Sequence, residues 1–377
     1  MTESTPLRIK RIEIEGLFGL YHHLIDLNLE DRVTILHGPN GVGKTVIFKI
    51  LRTIIPYNFS NYSSIQHYMG SSGKFSLEFS DGRSNMLSKD STRYDSSLEE
   101  DIKNFSVYFI QEQRTVKCIS ALEVTVFPTG SSSSKPASEP MMVSRLTECS
   151  NRLRDELENI MATYGKESQN LDITLPQRLF NKTSSQILNS EQLKQQLIKL
   201  EDKYSELQKI GLLQETILPV FDVAQLNNID ESKRGMMTLY IEDTQQKLSV
   251  LDDFAQRIKL FLNIINHKFK HKQIKIDHEK GFVIEGSDQQ ELPLDSLSSG
   301  EQHEIVLAYD LLFKTASNSL VLIDEPELSL HISWQKRFLP DLLEIVKVAN
   351  FDVIIATHSP FIIGDRSDLM VALETEQ

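Results

Sequence analysis

The chain has 377 residues, 40% of them hydrophobic and 25% charged, an ordinary globular composition with room for one large domain or two ordinary ones. A formal net charge of −13 argues against non-specific coating of nucleic acid, although a local basic patch can sit inside an acidic total. The two cysteines, Cys118 and Cys149, lie far apart and form no C-x-x-C pair, which argues against a zinc site or a disulfide framework and fits a reducing cytosol.

The polar start, Met1-Thr2-Glu3-Ser4-Thr5-Pro6, carries no basic stretch followed by an apolar one, so no signal peptide is expected. No apolar run reaches the roughly 18 residues needed to span a bilayer. Even the stretch 351–363 is broken by Asp352, His358 and Pro360. The expectation is a cytoplasmic protein without a membrane partner.

Residues 7–36 alternate as strands do: Ile9, Ile12, Ile14 and Leu17 lead in, 24–29 follow, and Val33-Thr34-Ile35-Leu36 runs into a glycine loop. After that loop Val46, Ile47, Ile50, Leu51 and Ile54 recur at helical spacing, and Pro56 closes the helix. Residues 74–127 read as a strand-rich extension, with Phe75, Leu77 and Phe79 alternating before an Asp81-Gly82 turn and Val107-Tyr108-Phe109-Ile110 as a buried strand. The serine-rich run 130–136 is a loop by composition.

From about 141 to 268 the spacing is helical. Leu146, Cys149, Leu153, Leu157, Ile160 and Tyr164 share one face. Leu193, Leu197, Leu200, Tyr204 and Leu207 keep heptad spacing for about two to three heptads, which suits a helical hairpin packed on its own domain or a short protruding coiled coil. A third helical stretch runs from about Met236 to Ile265. Strands return at 274–276 and 282–284, joined through Gly281. The expected organisation is therefore α/β, with an N-terminal lobe at 1–140, a helical insertion at 141–268 and a C-terminal lobe at 269–377.

Four segments carry chemistry. Gly38-Pro39-Asn40-Gly41-Val42-Gly43-Lys44-Thr45 completes G-x-x-x-x-G-K-[ST] between a strand and a helix. In such a loop the backbone N–H groups of residues like Asn40, Gly41, Val42 and Gly43 turn toward phosphates, Lys44 reaches the β- and γ-phosphates of ATP, and Thr45 ligates Mg²⁺. The apolar strand Leu320-Val321-Leu322-Ile323 delivers Asp324, suited to hold Mg²⁺, and Glu325, suited to polarise an attacking water. The strand Val353-Ile354-Ile355-Ala356 leads to Thr357-His358-Ser359-Pro360, where His358 can donate to a γ-phosphate and sense its loss. Leu297-Ser298-Ser299-Gly300-Glu301-Gln302 opens a helix with hydroxyls and a glycine. That makes an anion site, or simply an N-cap with Glu301 in the first turn.

The order of phosphate loop, S-S-G-E, D-E-P and T-H-S resembles the ABC ATPase superfamily in its soluble SMC/RecF/OLD-like branch, over about residues 7–125 and 270–377. The resemblance implies an ATPase head in which two copies sandwich two ATP molecules. Ser298, Ser299, Gly300 and Glu301 of one copy would meet the nucleotide of the other, so that a lone protomer hydrolyses poorly. It also implies a glutamine that senses Mg²⁺ and water; Gln113 in Gln111-Glu112-Gln113-Arg114 is preferred, with Gln111 as the alternate. Two departures stand out. The signature reads Leu-Ser-Ser-Gly-Glu, and His331 in Glu327-Leu328-Ser329-Leu330-His331 stands near where many relatives carry aspartate, a pattern shared with the OLD-like group.

A transporter subunit would place the signature soon after the glutamine loop, whereas 185 positions separate Gln113 from Ser298 here. Long SMC arms are absent, which leaves a short-armed DNA repair clamp as one reading. The preferred reading is the sensor ATPase of an antiviral defence system, because the chain resembles OLD-like defence ATPases such as the subunits of PARIS or Septu systems. With 19 residues after His358, no C-terminal nuclease is expected. A separate effector, nuclease or toxin, is therefore expected, alongside a homodimer or larger homo-oligomer, and DNA stays open as a ligand.

Overall fold

The computed structural model describes residues 6–55, 62–88, 92–93, 96–98, 101–102, 105–110, 117–119, 139–180, 187–214, 230–330 and 332–373. The chain forms two compact units, one from residues 1–142 and 298–377 and the other from 143–297.

In the first unit the chain opens with β1 (Ile9–Leu17), β2 (Tyr21–Asp26), β3 (Val33–His37) and α1 (Lys44–Ile54). A short helix α2 (Tyr62–Ile65) precedes β4 (Met69–Phe79), β5 (Ser84–Ser88) and β6 (Thr92–Arg93). Next come β7 (Val107–Ile110) and β8 (Lys117–Ile119). An antiparallel sheet takes the order β2-β1-β4-β5-β6. In β1 the inward Ile12, Ile14 and Leu17 are fully buried while Arg11, Glu13 and Glu15 face out, the alternation of a sheet with one wet face. The Asp81-Gly82 turn joins β4 to β5 as the sequence suggests, with Gly82 at φ 87°.

The second sheet is completed by β12 (Leu320–Asp324), β13 (Asp352–Ala356) and β14 (Met370–Ala372), in the order β14-β3-β13-β12-β7-β8. All pairs are parallel except β7–β8. Its central strands read Val-Thr-Ile-Leu, Leu-Val-Leu-Ile and Val-Ile-Ile-Ala and are buried throughout, as strands covered on both faces must be. Ile47, Phe48, Ile50, Leu51 and Ile54 of α1 share one core with Ile12, Phe75, Leu36, Phe109, Leu322 and Ile354, so the helix behind the glycine loop is held by both sheets. Asp352, buried at the start of β13, is gripped by Arg8, whose Nε donates to Oδ2 at 2.9 Å and whose Nη2 donates to Oδ1 at 2.5 Å.

The second unit holds α3 (Glu139–Phe180, whose first residues lie in the other unit), α4 (Ser190–Lys209), α5 (Glu231–Ser249) and α6 (Asp252–Lys268). A small sheet follows, β9 (Lys272–Asp277), β10 (Gly281–Gly286) and β11 (Glu291–Leu292), in the order β11-β10-β9. The heptad leucines Leu193, Leu197, Leu200 and Leu207 are buried inside this unit. The single helical stretch expected near 236–265 is two helices. Leu251 N–H turns back to the carbonyl of Leu248, and Asp252 and Asp253 open the next helix where its dipole favours acids.

A second difference concerns where the insertion ends. The break is expected at 268/269, but the β9–β10 hairpin clusters with the helices. Ser150 on α3 hydrogen-bonds the hairpin backbone, donating to Lys280 O at 2.6 Å and accepting from Phe282 N at 3.1 Å. Asn266 on α6 brackets Ile274, accepting from its N–H at 2.7 Å and donating to its carbonyl at 3.1 Å. Side-chain amides and hydroxyls that tie a hairpin to helices leave no periodic mark in a sequence. The serine-rich run 130–136, Pro56, Gln111, Gln113 and His331 lie outside the described residues. No helix among the described residues is long and apolar enough to cross a membrane.

Candidate nucleotide site

The parallel ladder decides which loops meet. Leu36 on β3 pairs with Ala356 on β13, and Ala356 pairs with Asp324 on β12. Three strands therefore end level with one another, and each hands the chain to one of the predicted motifs within two residues. Ile110, the last residue of β7, pairs with Ile323, so β7 also ends at this edge.

The phosphate loop is built for an anion. Gly41 at φ 86° and Gly43 at φ 103° take left-handed conformations that side chains rarely adopt. A Cβ on Gly43 would stand 2.4 Å from Leu17 Cδ2, and one on Gly38 would stand 2.8 Å from the carbonyl oxygen of Leu373. The start of α1 has no side-chain cap and no acid in its first turn, which leaves its N–H groups for a ligand. Thr45 sits in that first turn, half-buried. Val42 is pinned by a residue that sequence reading missed: buried His23 on β2 places Nε2 2.9 Å from Val42 O. Because the partner is a carbonyl, Nε2 carries the proton, and burial pushes the pKa of His23 down. Its ring stacks on Tyr21 at a centroid distance of 5.7 Å.

Lys44 is 6% exposed and folds onto its own loop, with Nζ donating to Gly38 O at 2.8 Å and Pro39 O at 3.1 Å. Burial lowers its pKa, while the charges of Glu325, Asp324 and Glu327 act in the opposite sense. The strand register that ends β3, β13 and β12 level sets the glycine loop and these acids at one edge of the sheet. Asp324 is 8% exposed at the end of β12. Glu325 follows at φ 47° and ψ 56°, a left-handed glutamate, and its N–H donates to Ala356 O at 2.8 Å. The charges of three carboxylates act on this one ammonium, an excess of negative charge. With the hydroxyl of Thr45, the carboxylates of Asp324 and Glu325 suit Mg²⁺, a hard cation that takes carboxylates, hydroxyls and phosphate oxygens. The donor set therefore fits the metal, and Thr45 and Asp324 are the residues that could hold it.

His358 is half-buried beyond β13, and its backbone N–H donates to Glu327 Oε1 at 2.9 Å. Glu327, Gln335 and His23 were not among the residues singled out from sequence. Glu327 stood in a recognised element without a sign that it would serve the histidine loop. Ser298 and Ser299 are exposed at the start of α7 (Ser299–Tyr309). Ser298 and Glu301 form a capping box: Glu301 N donates to Ser298 Oγ at 3.4 Å, and Ser298 N donates to Glu301 Oε2 at 2.8 Å. The N-cap reading of this segment is thus realised within the chain, with the hydroxyl-bearing helix start open to solvent. Gly300 lies in the first turn of α7, where an added Cβ would meet Trp334 at 3.4 Å.

Comparison with known proteins identifies a family. The AAA ATPase domain family matches residues 8–363. The retron Ec83 probable ATPase of Escherichia coli is 24% identical over 95% of this chain and 70% of its own length. The zinc import ATP-binding protein ZnuC of Rickettsia bellii is 29% identical over 34% of this chain and 52% of its own. Among solved structures, a Smc head domain with an extended coiled coil, derived from Pyrococcus furiosus and bound to the C-terminal domain of ScpA, aligns at a TM-score of 0.40. It is 12% identical over 98% of this chain and 94% of its own.

Proposed function

The chain belongs to the AAA ATPase domain family, and we propose that it binds Mg·ATP at the edge where β3, β12 and β13 end, hydrolyses it slowly, and uses the cycle to pair with a second copy of itself. The observation that carries this reading is the strand register, Leu36 beside Ala356 beside Asp324, which ends the strands before the glycine loop, the acids and the histidine loop at one edge. ATP phosphates arriving at the loop would draw Lys44 from the carbonyls of Gly38 and Pro39. Asp324 and Thr45 would hold the metal, which lends positive charge to the β- and γ-phosphates. Glu325 would take the proton of the attacking water, and His358 would donate to the γ-phosphate. Ser298, Ser299, Gly300 and Glu301 would meet the nucleotide of the second copy. The exposure of the two serines on one helix start supports that role. Gln113, or Gln111, would line the metal and the water.

The biological reading is a sensor and scaffold ATPase in a prokaryotic anti-phage system, controlling a separate nuclease or toxin. A relative named as the probable ATPase of a retron, aligned over nearly the whole chain, supports it. A DNA repair or clamp ATPase is the second reading, favoured only by the ATPase family itself. The two separate in one experiment: Glu325→Gln protein with Mg·ATP, alone and with proteins encoded beside it, read by light scattering. A stable complex with a neighbouring nuclease or toxin-like protein supports the defence reading. An ATP-dependent homodimer that ignores its neighbours and retains DNA supports the clamp.

A further inference from the structure

We propose that Glu327 is a positioning residue, whose carboxylate holds the histidine loop in the shape that presents His358 to the γ-phosphate. The proposal rests on the reading of His358 given above. Glu327 lies in the single turn that follows Glu325, and both of its oxygens are committed to residues of the loop beyond β13. Oε2 accepts from Thr357 Oγ1 at 2.7 Å, and Oε1 accepts from His358 N at 2.9 Å. Thr357 is fully buried, and its Oγ1 accepts in turn from Ser359 N at 3.0 Å. Ser359 Oγ donates to Gln335 Oε1 at 2.9 Å, and Gln335 is on α8 (Ile332–Ala349). Gln335 Nε2 closes the circuit on the carbonyls of Glu327 at 3.2 Å and Leu330 at 3.1 Å.

Residues 357, 358 and 359 are therefore each tied, directly or through one partner, to the segment that carries Glu325. A hydrogen bond to an ionised acceptor is among the stronger ones, and here two converge on one carboxylate. The arrangement also separates the three acids beside Lys44. Glu327 spends its oxygens on the protein, which leaves Asp324 and Glu325 for metal and water. Nothing in the local spacing requires glutamate at 327, because a turn residue after Pro326 could be almost any polar side chain.

The test is a double-mutant cycle with His358. Glu327→Met keeps bulk but removes both acceptors. Glu327→Gln keeps one oxygen for the His358 N–H and can turn its amide toward Thr357 Oγ1. We expect Glu327→Met to lower kcat by about 10- to 100-fold, the rate equivalent of one or two charge-assisted hydrogen bonds, with KM and affinity for a non-hydrolysable ATP analogue little changed. Glu327→Gln should recover most of the rate, and Glu327→Met should add nothing in a His358→Ala background. Equal losses in both backgrounds, or wild-type kcat in Glu327→Met, would overturn the proposal. Should Glu327→Met fail to fold, Thr357→Val removes one bond at constant shape and enters the same cycle. Wild-type kcat in His358→Ala alone defeats the sensor reading instead. In that case the NMR signal of the His358 imidazole with bound analogue still decides the positioning: one sharp signal in wild type that broadens in Glu327→Met supports it, and identical signals refute it.

Discussion

The backbone N–H of Glu325 donates to the carbonyl of Ala356 at 2.8 Å, one step beyond the point where Asp324 and Ala356 pair across β12 and β13. The ladder thus continues through the first residue past the strand and holds it at φ 47°. A left-handed non-glycine residue costs about 1–3 kcal/mol when its surroundings enforce it. Glu325→Gly should therefore melt higher than Glu325→Ala, by about 1 kcal/mol in stability, although both lose the proposed general base. Thermal unfolding of the two variants checks this, and equal melting temperatures would show that the backbone at 325 is unstrained.

His23 predicts a pH dependence. Its folded pKa lies below 6.5, because burial disfavours the imidazolium more than the bond to Val42 O favours it. As pH falls through 6.5 the unfolded chain takes up the proton first, so the stabilisation present above 6.5 is lost progressively below it. His23→Gln retains an N–H donor without a titrating group. Its melting temperature should fall less than wild type between pH 7.5 and about pH 5.5. Parallel curves would remove His23 from the account.

In the insertion unit, Gly281 opens β10 at φ 86°, and a Cβ there would lie 1.9 Å from the carbonyl oxygen of Ser150. Gly281→Ala should detach the β9–β10 hairpin from α3. Ser150→Ala should leave the Phe282 N–H without its partner and cost about 1–3 kcal/mol. Hydrogen exchange at 272–286 reads both. Protection unchanged in Gly281→Ala would contradict the packing described.

Asp352 offers a test of the first unit. Its buried carboxylate depends on Arg8, with Arg32 Nη1 3.8 Å away. Arg8→Met should destabilise the unit by about 3–5 kcal/mol, the typical loss when one partner of a buried ion pair is removed. Arg8→Met/Asp352→Asn should recover part of it. Denaturant unfolding of both variants measures the difference, and a double variant no more stable than Arg8→Met would show that the pair is not the cause.

Much of this was legible in the sequence because it is carried by local rules. The three parallel strands read as unbroken apolar runs, the glycine loop as a strand-to-helix turn, and α4 as a leucine stripe. What was not legible is carried by contacts between distant segments. His23 lies 19 positions from Val42, and Glu327 lies 31 from His358; neither pairing has a period or a motif. The break at 250–251 hid inside a long helical pattern because Val250 and Leu251 continue its apolar rhythm. Gln113 and Gln111, the preferred and alternate glutamines, fall outside the described residues.

The most direct test of the account compares Lys44→Ala and Glu325→Gln with wild type in two assays, Mg·ATP binding and single-turnover hydrolysis. The account predicts that Glu325→Gln binds Mg·ATP as wild type does but hydrolyses it about 10²- to 10⁴-fold more slowly, while Lys44→Ala does not bind. Loss of binding in both variants, or wild-type hydrolysis by Glu325→Gln, would contradict it.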